Sequence, residues 1–417
     1  MKIRLAVEDL TSALDTVSTV KPGNNQGESA FLISIADGKC YVHSQDAQGY
    51  VRAEVPIENV EDTGLFLYPA DRVESLKYLK GWIDMEAGQD GDRFWVKYKT
   101  AGGATANRST YDPRNYNSFE KDLSGITTEY IFPTALLREG LTLTSSYLSS
   151  EVDPDQPFQT LQVFDKSNDA WAKGDGTMYA TNGVRSCFFH SETLKGKGLN
   201  IHQKHIGRIQ SFLGKCQKTV KIKVGEEKGF IIDQIPTSDG FRDGAVFGWT
   251  QHTKKHPNYK YYPAKHDKFI LRIPKDFVVK AIRQIRAELK DTKKEKIRVL
   301  YNAQEKSIKF LGSLGKEIAE SDPVGVDPQP LEDGANSGSE FAANVDVNNF
   351  LGLFENCRSH VVDLRVAFID PDKAQKALFR TTETYVLSDA GKVVIAADAK
   401  EASYECRVTH FTPSIVD

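Results

Sequence analysis

The sequence contains few of the features that mark a membrane, secreted or metal-binding protein. Its five cysteines are irregularly spaced and form no CxxC pair, which argues against a zinc ribbon or a disulfide framework and favours a reducing compartment. No uncharged apolar stretch of about 18 residues occurs, and the N-terminus lacks the apolar core of a signal peptide. With 40% hydrophobic and 27% charged residues, the composition predicts a soluble globular protein, and the cysteine usage predicts a cytoplasmic location.

Recognisable catalytic motifs are also missing. The nearest match to a GxxxxGK[ST] phosphate-binding loop, Gly312 to Lys316, is too short and lacks the following Ser or Thr. The nine histidines form no HExxH motif, and no GxSxG occurs. His202 and His205 are three residues apart, but no third ligand lies near them, so two helix-surface histidines are favoured over a metal site. We therefore expect no cofactor, no metal and no enzymatic activity.

The sequence does contain a threefold internal repeat. Each third opens with a strand that leads into an amphipathic helix, and a second strand-to-helix passage follows, with further strands after each helix. The large repeat has a period of roughly 130 to 145 residues, which is the size of a domain. The six passages begin at Ile3, Gly64, Tyr130, Gly198, Phe269 and Glu340.

The repeat predicts an α+β fold of three domains, each with two helices and antiparallel sheets. Turn-rich segments set the boundaries, which gives domains of residues 1–125, 126–266 and 267–417. Asp37-Gly38 predicts a hairpin turn in the first domain. In the third domain, Glu317 to Asp346 contains eight acidic residues and no Lys or Arg, so residues 317–340 are expected to form an exposed, irregular acidic loop.

The net charge of -3 conceals strongly basic segments. Leu199 to Gly225 contains six Lys or Arg residues and no acid, and Pro274 to Arg298 contains nine basic and four acidic residues. On a helix, the basic residues of each segment share one face, opposite the apolar face. The apolar faces comprise Ile206, Ile209, Leu213 and Cys216 in the first segment and Val278, Ile282, Ile285 and Leu289 in the second.

Any amphipathic surface helix has a charged face, so either basic helix alone is weak support for a binding site. The lack of compensating acids in Leu199 to Gly225 nevertheless favours a polyanionic partner. Because no recognition helix, zinc module or set of stacking aromatics is apparent, we expect sequence-independent contacts with phosphates rather than base readout.

Two short motifs link the repeat to a known family. Ala180 to Arg185 reads ATNGVR and resembles the ATDGHR motif of the bacterial β sliding clamps, the processivity factors of replicative DNA polymerases. His256 to Tyr259, followed by Pro263, is similar to the family's FPDY segment and its downstream proline. Asn182 replaces Asp but keeps a turn-forming side chain, whereas Val184 replaces a polar His. The resemblance covers the whole chain at low identity and indicates a divergent member, with a phage-encoded clamp as one interpretation.

The resemblance implies that two three-domain chains close head to tail into a homodimeric ring, with helices around the hole and strands at the rim. The implied partners are double-stranded DNA, a replicative DNA polymerase and an ATP-dependent clamp loader. Lys204 matches a DNA-facing lysine of the family, and the remaining lining residues follow from the helical faces. The predicted DNA-binding residues are Lys21, Arg72, Lys77, Lys80, Arg138, Lys204, Arg208, Lys215, Lys280, Arg283, Arg286 and Lys290.

The family also has a hydrophobic cleft between its second and third domains that binds short peptides from polymerase, loader and repair proteins. The family usually ends in a tail similar to Met-Pro-Met-Arg-Leu, whereas this chain ends YECRVTHFTPSIVD. We therefore expect a cleft with an altered shape and partner preference. The residues that match the cleft are Phe158, Thr181, Gly183, Val184, Arg185, Pro263, Lys376, Arg407 and Val408.

Two other functions remain open from the sequence. The first alternative to a sliding clamp is a non-encircling scaffold that uses the clamp fold to collect peptides. The second, which is less favoured, is a metal-dependent nuclease whose catalytic groups are not recognisable. The two-domain clamps of eukaryotes and archaea are disfavoured, because this chain has three domain-sized repeats.

Overall fold

The structure is a computed structural model that describes most of the chain. The described residues are 1–20, 29–46, 49–116, 128–149, 157–163, 175–216, 218–225, 229–234, 244–248, 267–289, 296–314, 317–331, 334, 337–368, 377–394 and 403–413. The helices within them are α1 (Val7–Val17), α2 (Val73–Leu76), α3 (Thr134–Ser145), α4 (Gln203–Leu213), α5 (Lys275–Leu289) and α6 (Val347–Glu355). None of these helices is long and apolar enough to cross a membrane.

The chain forms two compact units, each assembled from two segments. The first unit comprises Met1–Thr134 and Ile201–Thr253, and the second comprises Ala135–Asn200 and Lys254–Asp417. Both units therefore contain part of the predicted second domain, residues 126–266.

The first unit contains α1, α2, α4 and two antiparallel sheets. The strands are β1 (Lys2–Ala6), β2 (Ala30–Ala36), β3 (Lys39–Asp46), β4 (Gly49–Val55), β5 (Ile57–Val60), β6 (Gly64–Pro69), β7 (Trp82–Asp90), β8 (Arg93–Thr100), β9 (Thr105–Thr110), β10 (Thr128–Pro133), β15 (Thr219–Gly225), β16 (Gly229–Gln234) and β17 (Gly244–Gly248). One sheet has the order β5-β1-β7-β8-β9, and the other has the order β10-β15-β16-β17-β4-β3-β2-β6.

The second unit contains α3 from Ala135 onward, α5, α6 and two further sheets. The strands are β11 (Thr160–Val163), β12 (Thr177–Thr181), β13 (Ser186–His190), β14 (Leu199–His202, of which the first two residues belong to this unit), β18 (Asp267–Pro274), β19 (Lys296–Asn302), β20 (Ser307–Leu314), β21 (Glu317–Glu320), β22 (Val324–Gly325), β23 (Asp327–Pro328), β24 (Glu340–Asp346), β25 (Val361–Phe368), β26 (Ala377–Ser388), β27 (Val393–Val394) and β28 (Ser403–Pro413). The larger sheet has the order β14-β11-β12-β13-β28-β26-β25-β18-β23, with β27 paired to β26, and the smaller has the order β21-β20-β19-β24, with β22 paired to β20.

All six predicted strand-to-helix passages are confirmed. In each third the first passage is β1 to α1, β10 to α3 or β18 to α5, and the second is β6 to α2, β14 to α4 or β24 to α6. The Asp37-Gly38 turn between β2 and β3 is confirmed as well, because both residues have positive φ, at 51° and 74°, as a tight hairpin turn requires.

The helices bury the apolar faces that their periodicity predicts. Ile206, Ile209 and Leu213 of α4 are buried, as are Val278, Ile282, Ile285 and Leu289 of α5. On α6, Val347, Phe350, Leu351 and Phe354 are buried in the same way. Asp346 caps α6, because its Oδ1 accepts a hydrogen bond from Asn349 N at 2.8 Å.

Continuous sheets join the predicted domains within each unit. In the first unit, β4 pairs with β17, with Val51 opposite Val246. In the second unit, β13 pairs with β28, with Cys187 opposite His410. Because these pairings bind each half of the predicted second domain to a neighbouring domain, the compact units do not coincide with the three sequence repeats. The boundaries at 125 and 266 stay a prediction.

The expectation of an irregular loop at residues 317–340 is wrong for the first half of that segment. β21 pairs with β20, β22 also pairs with β20, and β23 pairs with β18. Ala319, Val324 and Val326 are buried in the core of the second unit. These apolar side chains anchor the strands while the acidic ones face solvent, so the high acid content alone misidentified the segment as a loop.

Candidate functional site

The basic face of α4 is only partly exposed. His202 precedes the helix, and its Nδ1 accepts a hydrogen bond from Lys204 N at 3.2 Å, so the histidine acts as the N-cap. The Lys204 side chain is exposed beyond this cap. His202 and His205 are both buried, and the expectation of helix-surface histidines is therefore wrong.

Arg208 does not belong to the exposed basic face of α4. Its side chain is only 8% exposed, and its Nη2 lies 2.9 Å from Asp46 Oδ2 on β3. Its guanidinium is turned into the protein and neutralised by a carboxylate, so DNA contact by Arg208 stays a prediction that this pairing does not support. Asp46 lies 162 residues away in sequence, which is why the local count of acids did not reveal the pair.

The other predicted cations of the first unit lie near its helices. Lys215 is exposed but donates a hydrogen bond from Nζ to Thr16 Oγ1 at 2.9 Å, and partial burial lowers its pKa. Lys77 pairs with Glu74 and with Asp15 of α1, at 3.2 and 3.7 Å. Exposed cations also occur at Arg72, which pairs with Asp71, and at Lys80. Lys21 lies outside the described residues.

The second unit contributes cations from α3 and α5. Arg138 on α3 and Lys280 on α5 are exposed. Arg283 is exposed and pairs with Glu355 of α6 at 2.7 Å, and Arg286 is partly exposed. Lys290 lies outside the described residues. The predicted sector of α5 is therefore polar and accessible, opposite the buried face of the helix.

Among the residues of the predicted peptide site, those in the turn between β12 and β13 have the best-defined hydrogen bonding. Asn182 Oδ1 accepts hydrogen bonds from Val184 N at 3.0 Å and from Arg185 N at 2.7 Å. This confirms that the asparagine forms the turn expected of it. Gly183 has φ +87°, and a Cβ there would lie 3.3 Å from Phe158 Cζ. The glycine therefore supplies a left-handed backbone and lets the phenylalanine ring pack against the turn.

The hydroxyl of Thr181 fixes the base of the same turn. It donates to Arg185 O at 2.8 Å and accepts from Gly183 N at 3.0 Å. With both ends held, the turn projects Val184 outward, and that side chain is 49% exposed. An exposed apolar side chain on a rigid turn is suited to contact with an apolar partner.

Arg185 extends from the turn over residues that the sequence reasoning missed. Its guanidinium carbon lies 5.4 Å from the centroid of the Tyr147 ring, within the range of a cation–π contact. A Cβ at Gly352 of α6 would lie 3.1 Å from Arg185 Nη1, so the glycine allows the guanidinium to approach the helix. Tyr147 OH donates to Gly352 O at 3.4 Å and accepts from Asn356 Nδ2 at 3.3 Å. No motif in the sequence marked Tyr147, Gly352 or Asn356.

Arg407 and Val408 lie apart from the turn between β12 and β13. Arg407 pairs with His190 and Val408 with Phe189, whereas Ser186, next to the turn, pairs with Phe411. At about 3.4 Å per residue, the two lie roughly 10 to 13 Å along the ladder from the turn. Val408 is also fully buried, and the assignment of both residues to a peptide-binding surface stays a prediction that their positions do not support. Pro263 and Lys376 lie outside the described residues.

Comparison with solved structures identifies the fold. The DNA polymerase sliding clamp from Caulobacter crescentus gives a TM-score of 0.73 at 16% identity, with 100% of this chain and 99% of that chain covered. A ligand-bound DNA polymerase sliding clamp from Pseudomonas aeruginosa gives a TM-score of 0.74 at 15% identity, with the same coverage of 100% and 99%. No protein-family model and no curated protein sequence matches the chain. The chain thus has the sliding-clamp fold over its whole length, which confirms the predicted α+β fold with antiparallel sheets.

Proposed function

We propose that this chain is a DNA sliding clamp, a ring of two copies that encircles duplex DNA and tethers a replicative DNA polymerase. The observation that carries the proposal is the similarity in fold to DNA polymerase sliding clamps along the entire chain. In this function the protein performs no bond chemistry. An ATP-dependent loader opens the ring, and the closed ring stays on DNA by topology rather than by tight contacts.

Exposed cations on three helices support the DNA-binding part of the proposal. Arg138, Lys204 and Lys280 lie at solvent-accessible positions of α3, α4 and α5. Lysine and arginine contacts with phosphates do not depend on base sequence, and they weaken as salt rises. Such contacts are mobile enough for a clamp that slides along its duplex.

The turn at residues 181–185 supports the polymerase-binding part. It presents the exposed Val184 beside the Arg185 guanidinium, which offers an apolar contact next to a charged one. A short peptide of a polymerase that docks there keeps the enzyme near the primer end. Tethering of this kind raises the effective concentration of the enzyme without any new contact at its active site.

The decisive experiment compares retention of the purified protein on circular and linear DNA. The protein is incubated with nicked circular plasmid, a bacterial clamp loader and ATP, and the complex is isolated by gel filtration at a salt concentration that disrupts phosphate contacts. The plasmid is then cut at a single site. We expect the protein to stay on circular DNA and to leave the linear product, because only a topological link depends on closed DNA.

Two results would refute encirclement. Equal retention on circular and linear DNA would indicate ordinary binding, and failure to remain on either would favour the non-encircling scaffold. A variant with Lys204 and Lys280 both replaced by Ala tests the phosphate contacts separately. It should load less efficiently at low salt, while any ring already loaded should still be released only by linearisation.

A further inference from the structure

Three buried side chains with metal-ligating atoms meet in the core of the second unit. Cys357 follows α6, Glu383 lies on β26 and His410 lies on β28, and their exposed fractions are 3%, 4% and 0%. The cysteine sulfur, a carboxylate oxygen and a ring nitrogen all lie within 4.8 Å of one another. The pairing of Thr381 with His410 in the β26–β28 ladder places Glu383, two residues further along, on the same face of the sheet as the histidine.

Of the three side chains, His410 is the one without a hydrogen-bond partner in the described part of the chain. Neither ring nitrogen has a hydrogen-bond partner in the described part of the chain, although the ring is fully buried. A buried polar group without a partner is destabilising, because it has given up its hydrogen bonds to water. Tyr147 stacks on the ring with a centroid distance of 5.4 Å and an interplanar angle of 20°. A ring nitrogen without a hydrogen-bond partner leaves its lone pair available, and the neutral imidazole is the form of histidine that binds metal ions.

The other two side chains are held in place around the histidine. Glu383 accepts hydrogen bonds from the backbone N–H groups of Arg358 and Ser359, the latter at 2.6 Å. The Cys357 thiol donates to Leu353 O at 3.0 Å. In this hydrogen bond the sulfur carries a proton, which a bound metal ion displaces.

We propose that Cys357, Glu383 and His410 bind a divalent metal ion of the zinc type. The sulfur, nitrogen and oxygen donors form a set that suits zinc. A thiolate and a carboxylate together carry two negative charges, which neutralise a divalent cation in an interior where an uncompensated charge is costly. Binding forms a sulfur–metal bond and releases the Cys357 proton to solvent.

The required movement is small. Zinc lies 2.0 to 2.3 Å from such donors, so donor atoms around one ion are separated by about 3.5 Å. The three donor atoms lie within 4.8 Å of one another, so each pair needs to approach by no more than about 1.3 Å, a distance that rotation about side-chain bonds supplies. A bound ion would cross-link the end of α6 to β26 and β28 directly beside the Tyr147 ring.

The test is metal analysis of the full chain. The protein is produced with Co²⁺ in place of zinc, passed through gel filtration with a mild chelator to remove surface ions, and examined by mass spectrometry and absorption. We expect a single equivalent of cobalt per chain, with a sulfur-to-cobalt charge-transfer band in the near ultraviolet. Cys357→Ser should abolish the band, whereas Cys40→Ser, which removes a buried thiol of the first unit, should keep it.

His410→Gln provides a second variant if Cys357→Ser fails to fold, and it should lower the cobalt content at least tenfold. A wild-type chain that retains neither zinc nor cobalt after gel filtration overturns the proposal. So does a charge-transfer band that persists unchanged in a folded Cys357→Ser variant. These measurements involve no DNA or peptide, so their outcome is independent of the proposed function.

Discussion

Arg208 and Lys204 lie four residues apart on α4 but have opposite surroundings. Arg208 is buried and paired with Asp46, whereas Lys204 extends into solvent. Removal of a partner from a buried ion pair leaves the other charge poorly compensated. We therefore predict that Arg208→Ala lowers the free energy of unfolding by about 1 to 3 kcal/mol. The loss is smaller than for a fully buried ion pair because Asp46 retains some access to water.

Urea denaturation measures this effect, with Lys204→Ala as the matched control. The control should leave the midpoint of unfolding unchanged and reduce DNA binding at low salt. If Arg208→Ala unfolds at the wild-type midpoint and loses DNA binding instead, the arginine belongs to the DNA-binding surface after all.

Val184 is the side chain most directly exposed by the turn between β12 and β13. We predict that Val184→Asp weakens binding of a labelled clamp-binding peptide from a bacterial replicative polymerase by at least tenfold, because a carboxylate replaces an apolar contact. Fluorescence anisotropy measures the affinity. Val361 on β25 provides the control, since it is 50% exposed against 49% for Val184. Equal affinities for Val184→Asp and Val361→Asp would remove the turn from the peptide site.

His43 gives the first unit a pH-dependent stability. Burial, together with the positive charge of Arg52, lowers its pKa to about 3, and its Nε2 lies 2.8 Å from Ser34 Oγ. An unfolded histidine has a pKa of about 6.5, so between these values the unfolded state binds more protons. Stability is therefore lost as pH falls from 6.5 toward 3, with a slope from this group of about 1.4 kcal/mol per pH unit.

His43→Gln should flatten that slope in urea denaturation between pH 7 and pH 4. His360→Gln serves as the control because His360 is exposed on the surface of the second unit. An unchanged slope in a folded His43→Gln variant would show that this histidine does not drive acid destabilisation.

Gly312 determines how closely α5 packs on β20. A Cβ at this position would lie 2.5 Å from Leu289 Cδ1 and 2.6 Å from Ile285 Cγ2, far inside van der Waals contact. We predict that Gly312→Ala lowers the free energy of unfolding by about 1 to 3 kcal/mol, because a packed core accepts added volume only with strain. Gly325→Ala on β22 is the matched control, since nothing lies within 4 Å of a Cβ there. Thermal unfolding of the two variants checks the prediction, and equal midpoints would contradict it.

The sequence was most informative where a single element determines its own structure. The faces of α5 and α6 followed from periodicity alone, and the turn at Asn182 followed from the family motif, in which asparagine keeps a turn-forming side chain. The pairing of Arg208 with Asp46 depends on elements that are distant in sequence, and no local pattern contains it. Tyr147 was missed for the same reason, because its importance comes from Arg185 above it and His410 beside it. The strands at 317–328 were missed because alternating apolar residues carried less weight than the acids around them.

Ring closure requires two different surfaces of the chain to associate, since a head-to-tail interface is heterologous. β21 lies at the edge of its sheet in the second unit, and edge strands present backbone groups that pair readily with another chain. Ile318 on this strand is 75% exposed, which adds an apolar contact to the open edge. We therefore expect β21 to form part of the interface between two copies.

Sedimentation equilibrium tests ring closure directly. The wild-type chain should sediment with twice the mass of one chain at micromolar concentration. Ile318→Asp should shift the mass toward that of the monomer, because ring closure would bury its charge against the second copy. Val361→Asp, which places the same charge at an exposed position of β25, should remain dimeric. A wild-type monomer at every concentration would exclude a dimeric ring. A dimer that Ile318→Asp leaves intact would assign closure to a different edge of the molecule.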